Sequence, residues 1–496
     1  MQVVWFKRDL RIEDHAPLAQ ASRQGPCVCL YVYEPDLISS EEFDSSHLKF
    51  INESLAELDA QLRKLGGQLT YRFGHMPDVL DQLHRNHPID AIWSHEETGN
   101  RITYDRDQRV AKWAAEHHVA WHEIPQNGVV RRLKSRDGWS RQRTTWMQQP
   151  QASIPDQIVH PHDVITEKQQ LAADLGLEET TKTQLQTGGT RAGKQILHMF
   201  LHQRGENYCT EMSSPNSAWN SCSRLSTYLA WGCLSMKSVE QAVCKRQAEL
   251  RQQKASGHST GGWLKSLRSY QSRLSWHCHF MQKLEDEPRI EFENMSCAYD
   301  GLREGEFNQN YFDAWCAGQT GYPMVDACMR AMRKHSWVNF RMRAMLVSFA
   351  SYHLWLHWRP TAVYLAKHFL DFEPGIHFSQ FQMQSGTTGI NTVRIYSPIK
   401  QVTDQDPQGK FIRKHVPELA EVPNEYIAEP HKMPLMLQSA AGCRIGKDYP
   451  KPIVDHATAY RAARARVNAI RRQDQSRTEA KRVLQKHGSR KRVRGS

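Results

Sequence analysis

Residues 27–33 read Cys27-Val28-Cys29-Leu30-Tyr31-Val32-Tyr33, and this short apolar run, rich in valine and tyrosine, is typical of a buried β-strand. A helical pattern follows over His47–Leu65, with leucine and isoleucine side chains along one stripe. A second short apolar run stands at Leu69–Phe73. Two strands joined by a helix of this length predict a parallel pair with a crossover connection.

Three further apolar runs flank this unit, at Val3–Phe6, Ala91–Ser94 and Val119–Ile124. We therefore predict an α/β domain with a doubly wound, Rossmann-like parallel sheet over residues 1–130. No Gly-x-Gly-x-x-Gly motif follows the first strand, so a nicotinamide dinucleotide site is not supported. Residues 131–195 are polar, with clusters of Gln, Pro and Thr, and are predicted to form an interdomain linker.

The chain from residue 196 to residue 460 is dominated by helical patterns and is dense in tryptophan and tyrosine, which predicts a large all-α domain. Basic residues are concentrated behind it. Residues 461–496 hold 13 Lys/Arg and 2 Asp/Glu, whereas the whole chain has a net charge of +12. This basic C-terminal tail is either a solvated, partly disordered end or an arm that binds phosphate backbones.

The eleven cysteines form no Cys-x-x-Cys pair, which argues against a disulfide framework and against a zinc site. No stretch of about 18 apolar residues suggests a membrane span, and the N-terminal run lacks the character of a signal peptide. We expect a cytoplasmic monomer with no bound metal and no membrane contact.

Arg341 and Arg343 stand before a long apolar run, Ala344–Leu356, which should be largely buried. Arginines in such a place need anionic partners, because an unpaired buried charge is very costly. Asp371 can supply one partner, and a phosphate or a bound cofactor can supply another. Upstream, Ser223–Ser226 combines small hydroxyls with backbone amides at a predicted helix start, which suits a pyrophosphate, although such a serine is more often a simple N-cap.

Five motifs resemble those of the photolyase/cryptochrome family, in the family's order: Trp5–Arg11, Ser223–Ser226, Thr320–Asp326, Arg394–Pro398 and Tyr449–Asp455. The resemblance implies a Rossmann-like antenna domain followed by a helical domain that holds FAD. It also implies blue-light chemistry, in which the flavin does the redox work and the protein supplies position and electrostatics. A second, antenna chromophore of unknown identity is compatible with the family, and His95–Asn100 is the expected part of its cleft, unless these acids simply cap the next helix.

The resemblance assigns the cofactor-binding side chains. Tyr208 and the Ser223–Ser226 motif match the pyrophosphate and ribityl contacts. Arg343 and Asp371 match an ion pair beside the flavin ring, and Glu373 matches an acid near the adenine end. The position opposite flavin N5 is taken by a histidine, which either exchanges a proton with N5 or is an ordinary core histidine. The full predicted set is Tyr208, Ser223, Arg224, Leu225, Ser226, Tyr270, Arg273, His277, Arg343, Asp371, Glu373 and His377.

Trp276 matches the aromatic platform that stacks against a flipped-out lesion, and Arg341 is placed to meet a DNA phosphate or a nearby acid. Arg273 and Phe340 complete the predicted DNA-binding set. The predicted catalytic residues are Trp276, His377, Arg343 and Asp371, and the predicted electron-transfer residue is Trp358.

The chain departs from the family's cyclobutane-dimer photolyases at several of these positions. The replacements at the lesion pocket are Arg273 for a glutamate, His277 for an arginine, Phe340 for an asparagine and Ala344 for a methionine. The family's tryptophan relay keeps only Trp358, because its other positions hold Phe381, Gly305 and Met383. The iron–sulfur branch is disfavoured, since it needs four clustered thiolates and only Cys443 remains after Cys328.

Two functions therefore follow from the resemblance. The preferred one is an FAD-dependent, blue-light-driven DNA photolyase, a lyase that splits ultraviolet-induced pyrimidine lesions by electron transfer from reduced flavin and has damaged DNA as its partner. The alternative is a cryptochrome-like blue-light photoreceptor without repair activity. A third hypothesis, of an unrelated class, is a helical nucleic-acid-binding scaffold without flavin.

Overall fold

The computed structural model describes residues 1–488, and its N-terminal part is a five-stranded sheet. The strands are β1 (Gln2–Phe6), β2 (Cys27–Tyr33), β3 (Leu69–Phe73), β4 (Ala91–His95) and β5 (Ala120–Ile124). Their order is β3-β2-β1-β4-β5, and every neighbouring pair is parallel. The doubly wound sheet predicted from the apolar runs is confirmed.

Helices alternate with these strands and then make up most of the chain. The α-helices are α1 (Ala16–Ala21), α2 (Pro35–Ile38), α3 (Ser45–Lys64), α4 (Met76–Asn86), α5 (Arg101–Glu116), α6 (Trp139–Gln148), α7 (Thr190–Met199), α8 (Tyr208–Glu211), α9 (Pro215–Ser221), α10 (Ser226–Ala230), α11 (Met236–Ala255), α12 (Trp263–Asp286), α13 (Gln309–Ala317), α14 (Pro323–His335), α15 (Phe340–Ser348), α16 (Trp358–His368), α17 (Pro374–Ser385), α18 (Pro398–Gln405), α19 (Lys410–His415), α20 (Leu435–Ala440), α21 (His456–Arg471) and α22 (Asp474–His487). Two π-helical turns, Phe200–Arg204 and Phe349–His353, extend α7 and α15. Short 3-10 turns lie at Ala173–Leu175, Pro288–Glu291, Cys297–Tyr299, Glu304–Glu306, Pro417–Leu419 and Pro430–Lys432. None of the described helices is long and apolar enough to cross a bilayer.

Strand β1 shows how the sheet is covered on both faces. Val3 and Trp5 pack with side chains of α4 and α5 in one core, whereas Val4 and Phe6 belong to a second core. That second core continues into the helical part of the chain, where it includes Leu225. The sheet and the helices that carry the predicted cofactor residues are therefore packed together rather than merely connected.

The crossover helix α3 links the sheet to the predicted site. Its N-terminus is capped by Asp44, whose carboxylate accepts the amide of Ser46 at 2.9 Å. His47 Nδ1 accepts the amide of Asp44 at 3.2 Å, so Nε2 carries the proton and donates to the carbonyl of Phe369 at 2.9 Å. Burial lowers the pKa of His47 to about 4, which keeps this neutral form at physiological pH. The helix thereby fixes the segment that leads to Asp371.

The predicted linker, residues 131–195, contains one α-helix that the sequence pattern did not predict. Helix α6 buries Trp139, Arg143 and Met147, which repeat every four residues. An arginine in the middle of the buried stripe hid the helical period, and Arg143 is accommodated because it pairs with Glu240. The rest of the segment is irregular apart from one 3-10 turn and the start of α7. The domain boundaries remain predictions.

Helix α17 occupies the middle of the helical part and packs against both α12 and α15. It approaches α12 closely at Gly375, where a Cβ atom would lie 2.8 Å from Cα of Met281. Any larger residue at position 375 would push the two helices apart. This contact sets the spacing between the helices that carry the predicted lesion platform and the predicted flavin contacts.

The C-terminal segment is not a freely solvated end over the part that the structure describes. Residues 461–488 belong largely to α21 and α22, and the side chains of Ala463, Val467 and Val483 are buried against the helical domain. Val483 packs with Leu284, Ile290 and Met295, while Glu287 is paired with His487 at 2.5 Å. The expectation of a solvated tail is wrong here, because the sequence pattern was dominated by charge. The last eight residues of the predicted tail lie outside the described residues.

We expect Val483→Ala to lower the free energy of unfolding by about 2 kcal/mol, because it deletes fully buried methyl groups and leaves a cavity under α22. The matched control is Leu484→Ala, one residue away, whose side chain is 55% exposed. Denaturant unfolding of both variants measures the difference. Equal, small effects of the two substitutions would mean that α22 is not docked in solution.

Candidate functional site

A bidentate ion pair joins α15 to the segment before α17. Arg343 donates from Nη1 and Nη2 to the two carboxylate oxygens of Asp371, at 2.9 and 3.0 Å. Its Nε donates to the carbonyl of Val338 at 2.8 Å, and its guanidinium lies 4.0 Å from the centre of the Phe369 ring. Burial favours the neutral acid, but Arg343 outweighs burial and keeps the pKa of Asp371 below its ordinary value. Asp371 is thus confirmed as the anionic partner of Arg343.

Arg224 is a buried guanidinium that is held by two aromatic rings. It lies between the indoles of Trp219 and Trp337, 3.8 and 4.0 Å from their centres. Its Nε and Nη1 have no hydrogen-bond partner within residues 1–488. Burial lowers the pKa of Arg224 to about 9, although Asp371 acts in the opposite direction. Cation–π contacts stabilise the charge in part and leave N–H groups available to an anion.

The turn Ser223–Ser226 contains one residue with an unusual backbone conformation. Arg224 has φ of 60°, a left-handed conformation that non-glycine residues rarely adopt. Leu225 is fully buried, and Ser226 begins α10. The carbonyl of Ser223 accepts from Arg204 Nη2 at 2.6 Å. Because α10 has only five residues, its dipole is small, and Arg224 is the main cationic group of the turn.

Helix α12 carries four of the predicted residues on neighbouring turns. The ring of Tyr270 is buried and lies 5.8 Å from that of Tyr208. One turn further, the Arg273 guanidinium lies 4.3 Å from the centre of the Trp276 ring. Trp276 is 45% exposed, which is unusual for a large apolar side chain in the middle of a helix. An exposed indole with an arginine on it has the composition of a base-stacking surface.

The start of α15 presents a second group of predicted residues. Phe340 is 50% exposed, and Nε of Arg341 has no partner within the described chain. Asn339, which was not predicted, donates to the carbonyls of Met212 and Ser213 at 3.1 and 2.8 Å. Its Oδ1 is buried and accepts no hydrogen bond from residues 1–488.

His277 and Glu373 form a pair between α12 and the start of α17. His277 Nε2 lies 3.0 and 2.9 Å from the two carboxylate oxygens of Glu373. Burial disfavours the charged imidazole, but Glu373 outweighs burial and raises the pKa of His277 to about 10. The histidine is therefore positively charged at neutral pH. The pair borders a cleft of about 550 Å³ that Glu96 and Met281 also line.

His377 is a buried histidine whose imidazole is uncharged at neutral pH. Its Nε2 donates to the carbonyl of Ala362 at 2.8 Å, and burial lowers its pKa to about 3. Its ring lies 4.5 Å from that of Phe381 and 5.1 Å from that of Phe372. This geometry favours the core hypothesis over proton exchange at this position.

Trp358, the predicted electron-transfer residue, is fully buried at the start of α16. Its Nε1 donates to Oδ1 of Asn294 at 2.9 Å. Its ring lies 6.4 Å from that of Phe378, and the ring of Phe378 lies 5.6 Å from that of His377. Phenylalanine thus separates Trp358 from the predicted flavin contacts. Gly305 lies in an exposed 3-10 turn.

A larger cleft, of about 850 Å³ and partly open to solvent, lies where the carboxyl ends of β1, β2 and β4 face the helical domain. Arg8, Tyr31 and Trp231 line it, and the Arg8 guanidinium lies 4.4 Å from the centre of the Trp231 ring. From the predicted segment His95–Asn100, three residues reach this cleft: Glu97, Gly99 and Asn100. Helix α5 is capped by Asn100, which accepts the amide of Thr103 at 3.2 Å, so the alternative that the acids Glu96 and Glu97 cap this helix is wrong.

Asp9, His15 and His95 form the one buried group among residues 1–488 whose ligand atoms are close enough to hold a metal ion. Their hydrogen bonds indicate a different role. His15 Nδ1 accepts the amide of Leu18 at 3.0 Å, so its Nε2 carries the proton and donates to Asp9 at 3.0 Å. His95 Nδ1 lies 2.7 Å from the same carboxylate oxygen. The group is a hydrogen-bond network that ties β1 to β4.

Sequence reasoning missed the residues that hold Arg224. Trp219 and Trp337 were interpreted as core aromatics, because aromatic residues at helical spacing are usually buried. Their positions just before Ser223 and just before Arg341 were the available signal. Asn339 could have been found in the same way, since it directly precedes two predicted residues.

Comparison with known proteins agrees with this arrangement. Residues 270–469 match the family model of the FAD binding domain of DNA photolyase, and residues 2–138 match that of DNA photolyase. The deoxyribodipyrimidine photo-lyase of Alkalihalophilus pseudofirmus is 25% identical over 486 residues, which cover 92% of this chain and 95% of that protein. The cryptochrome DASH of Gloeobacter violaceus is 26% identical over 506 residues, covering 94% and 95%.

A solved structure of an archaeal photolyase from Sulfolobus tokodaii, which contains two FAD molecules, has the same fold. The TM-score is 0.74 at 23% identity, and the match covers 95% of this chain and 100% of that chain. Photolyases and cryptochromes both occur among the relatives, so similarity alone does not separate repair from signalling. A scaffold without flavin is not supported, since the match includes an FAD-binding domain.

The residues present fit FAD. The dinucleotide carries a pyrophosphate and a ring system with hydrogen-bond donors and acceptors, and the site offers buried polar atoms that lack partners within residues 1–488. These atoms are Nε and Nη1 of Arg224, Oδ1 of Asn339 and Nε of Arg341. Buried polar atoms are normally satisfied, so a group of them around Trp337 indicates a polar ligand.

We expect Arg343→Ala to reduce the FAD content of the purified protein roughly tenfold or more, because breaking a buried ion pair costs about 3–5 kcal/mol. The ratio of flavin to protein absorbance measures this. Arg63→Ala is the matched control, since Arg63 forms an exposed pair with Asp59 at 2.8 Å. Full flavin occupancy in Arg343→Ala would contradict a role of the pair in the cofactor site.

The His277–Glu373 pair predicts a stability that depends on pH. The folded-state pKa of about 10 lies above the unfolded value of about 6.5. The pair's stabilisation is therefore fully present below about pH 6.5 and is lost as the pH rises through 10. Urea unfolding of the parent and of His277→Gln at pH 6.5 and pH 10 should show a stability difference that shrinks at high pH. The exposed His162→Gln serves as control, and a difference that is independent of pH would show that the pair is uncharged.

Proposed function

This chain belongs to the photolyase/cryptochrome family, and we propose that it is an FAD-dependent DNA photolyase driven by blue light. The observation that carries the proposal is the exposed indole of Trp276 on α12, with Arg273 lying against it. An exposed base-stacking surface has no use in a flavoprotein that only senses light, whereas lesion repair requires one. The partner is then DNA with ultraviolet-damaged pyrimidines.

Bound FAD in its reduced form supplies the electron for lesion splitting. The protein's own residues would hold and tune it. Arg224 would meet the pyrophosphate with its free N–H groups, and the Arg343–Asp371 pair would set the charge beside the flavin ring. Glu373, with His277 as its cationic partner, would border the adenine end. The neutral His377 would pack against the ring system without adding a charge.

DNA contacts would come from the same edge of the helical domain. Phe340 offers a second exposed aromatic ring, and Arg341 has a free Nε for a backbone phosphate. Lys265 and Arg268 are exposed on α12 before Trp276, at spacings that follow the helix surface. A monomer in the cytoplasm would suffice for this chemistry, and both properties stay predictions.

The cleft beside Arg8 and Trp231 suits a second, antenna chromophore. Its walls are aromatic, its rim carries cations, and it lies outside the carboxyl ends of parallel strands, where ligands of α/β sheets bind. The archaeal relative with two FAD molecules shows that this fold can hold a second planar ligand. The identity of the pigment in this chain is left to its absorption spectrum.

The alternative is a cryptochrome-like photoreceptor, and one observation favours it. Phe378 lies between Trp358 and His377, Phe381 packs against His377, and Gly305 is exposed, so no tryptophan chain among residues 1–488 connects the site with the surface along this route. A protein that reduces its flavin poorly by light would signal by another route or depend on reductants in solution.

We expect the reduced, FAD-loaded protein to restore one lesion type under blue light. Oligonucleotides with a cyclobutane thymine dimer and with a 6-4 lesion should be assayed separately. Trp276→Ala should weaken binding of the repaired lesion by about 1–3 kcal/mol, the value of one stacked base, while FAD content stays unchanged.

The control for that substitution is Phe292→Ala, which removes another exposed aromatic ring, 48% exposed and outside the predicted DNA-binding set. No turnover of either lesion by a protein that is fully loaded with reduced FAD would favour the photoreceptor. Equal losses in Trp276→Ala and Phe292→Ala would show that Trp276 is not the lesion platform.

A further inference from the structure

The C-terminal half of α12 carries polar residues on a buried face that is distinct from the Trp276 platform. His279, Lys283 and Glu287 follow each other at four-residue intervals, so they lie in one row along the helix. Lys283 is 3% exposed, and no carboxylate within residues 1–488 forms an ion pair with it. Its ammonium lies 5.2 Å from the centre of the Phe280 ring. A buried lysine without an anion is costly and calls for an explanation.

A second buried cation reaches this row from the segment before α6. Arg136 is 5% exposed, and its Nη2 donates to Nδ1 of His279 at 2.6 Å. Its Nη1 has no hydrogen-bond partner within the described chain, and the nearest carboxylate, that of Asp286, is 3.7 Å away. The guanidinium also lies 4.6 Å from the centre of the Trp139 ring, whose Nε1 is buried and without a partner among residues 1–488.

The end of α22 closes the row from the other side. His487 is fully buried, donates to Glu287 at 2.5 Å and has a buried Nδ1 that makes no hydrogen bond within residues 1–488. Glu287 does not neutralise Lys283, because it is already paired with three cations, Arg289, Arg482 and Lys486, and also accepts from His487, whose pKa burial lowers.

The charges of this cluster do not balance. Arg136 has one carboxylate within ion-pair distance, that of Asp286, which also accepts from Gln282 at 2.7 Å, whereas Lys283 has none among residues 1–488. Burial, and after it the charge of Arg136, lowers the pKa of Lys283 to about 8, while burial lowers the pKa of Arg136 to about 10 despite Asp286. The molecule thus buries two mutually repelling cations next to two N–H groups, those of Arg136 Nη1 and Trp139 Nε1, that lack acceptors among the described residues.

We infer that Arg136, Lys283 and Trp139 together form a binding site for a small oxyanion of the phosphate or sulfate class. Such an ion would accept hydrogen bonds from Arg136 Nη1, the Lys283 ammonium and the Trp139 indole, and would supply the missing negative charge. The depth of the side chains favours a free ion over a nucleic-acid backbone, since a duplex cannot follow a phosphate into a buried site. A bound oxyanion would join α12 to α6 and to the segment that leads into α6.

Thermal unfolding of the full, FAD-loaded chain tests this site. Sodium phosphate replaces sodium chloride at constant ionic strength, and the melting temperature is followed against phosphate concentration. A ligand that binds only the folded state raises the melting temperature with its concentration. Phosphate and sulfate also stabilise proteins generally by exclusion from their surface, so the decisive quantity is the difference between parent and variant.

Lys283→Met should weaken the apparent phosphate affinity about tenfold or more. In chloride alone this variant should melt at or above the temperature of the parent, because an uncompensated buried charge has been removed. Arg136→Gln should lose phosphate affinity in the same way and provides the test if Lys283→Met does not fold. Lys481→Met, an exposed lysine on α22, should behave like the parent.

Equilibrium dialysis with radiolabelled phosphate gives the direct measurement, with one ion per parent chain expected and none on Lys283→Met. The inference would be overturned by equal phosphate responses of the parent and Lys283→Met, or by an absence of bound phosphate in dialysis. Neither result depends on flavin or on repair activity.

Discussion

Compensation of buried positive charge is the constraint on which the arrangement of this molecule depends. Arg106 is buried with three acids around it, Glu34, Glu97 and Asp107, and this network closes one side of the cleft beside the sheet. Arg343 needs only Asp371, because bidentate geometry satisfies both carboxylate oxygens. Arg224 has no acid in contact and relies on two indoles, which compensate less than a carboxylate does. The less completely acids pair with an arginine, the more available that arginine is to bind an anion. Availability therefore increases from Arg106 to Arg343 and is greatest for Arg224.

The positions of these charges depend on packing that runs across the whole chain. One core connects strand β1 with α10 and α12, so the turn that presents Arg224 is braced by the sheet. Helix α3 holds the carbonyl of Phe369, two residues before Asp371, and α17 touches α12 at Gly375 with no room for a side chain. The turn that carries Arg224 and the segment that carries Asp371 are thus braced by the sheet and by neighbouring helices, as a cofactor that must be held in one geometry requires.

The sequence predicted those parts of the molecule whose structure is determined by a residue pattern that can be read locally. Parallel strands were predicted within one residue at each end, because their apolar runs are short and bounded. The Arg343–Asp371 pair was predicted because a buried arginine needs an anionic partner and because the family resemblance assigned Asp371 to Arg343. Helix α6 was missed because the middle residue of its buried stripe is Arg143, whose partner Glu240 is 97 residues away along the chain. Docking of α22 was missed for a similar reason, since Val483 is a single apolar residue among charges and its contacts come from residues 284–295. Pairings between distant residues, such as that of His277 with Glu373, have no local signal.

The helical domain has two functional surfaces, the side with the predicted flavin contacts and the side with Trp276, and their charges are arranged differently. The side with the predicted flavin contacts holds charge pairs, and Glu373 keeps the imidazole of His277 in its protonated form. The predicted lesion side has a different composition, because a cation, Arg273, lies on the face of the exposed Trp276 ring. A cation at this place attracts phosphate and the electron-rich faces of bases, and it repels nothing that DNA presents. An exposed indole joined to a guanidinium therefore suits a nucleic-acid ligand, and this composition supports the proposed photolyase activity over a function that needs no contact with DNA.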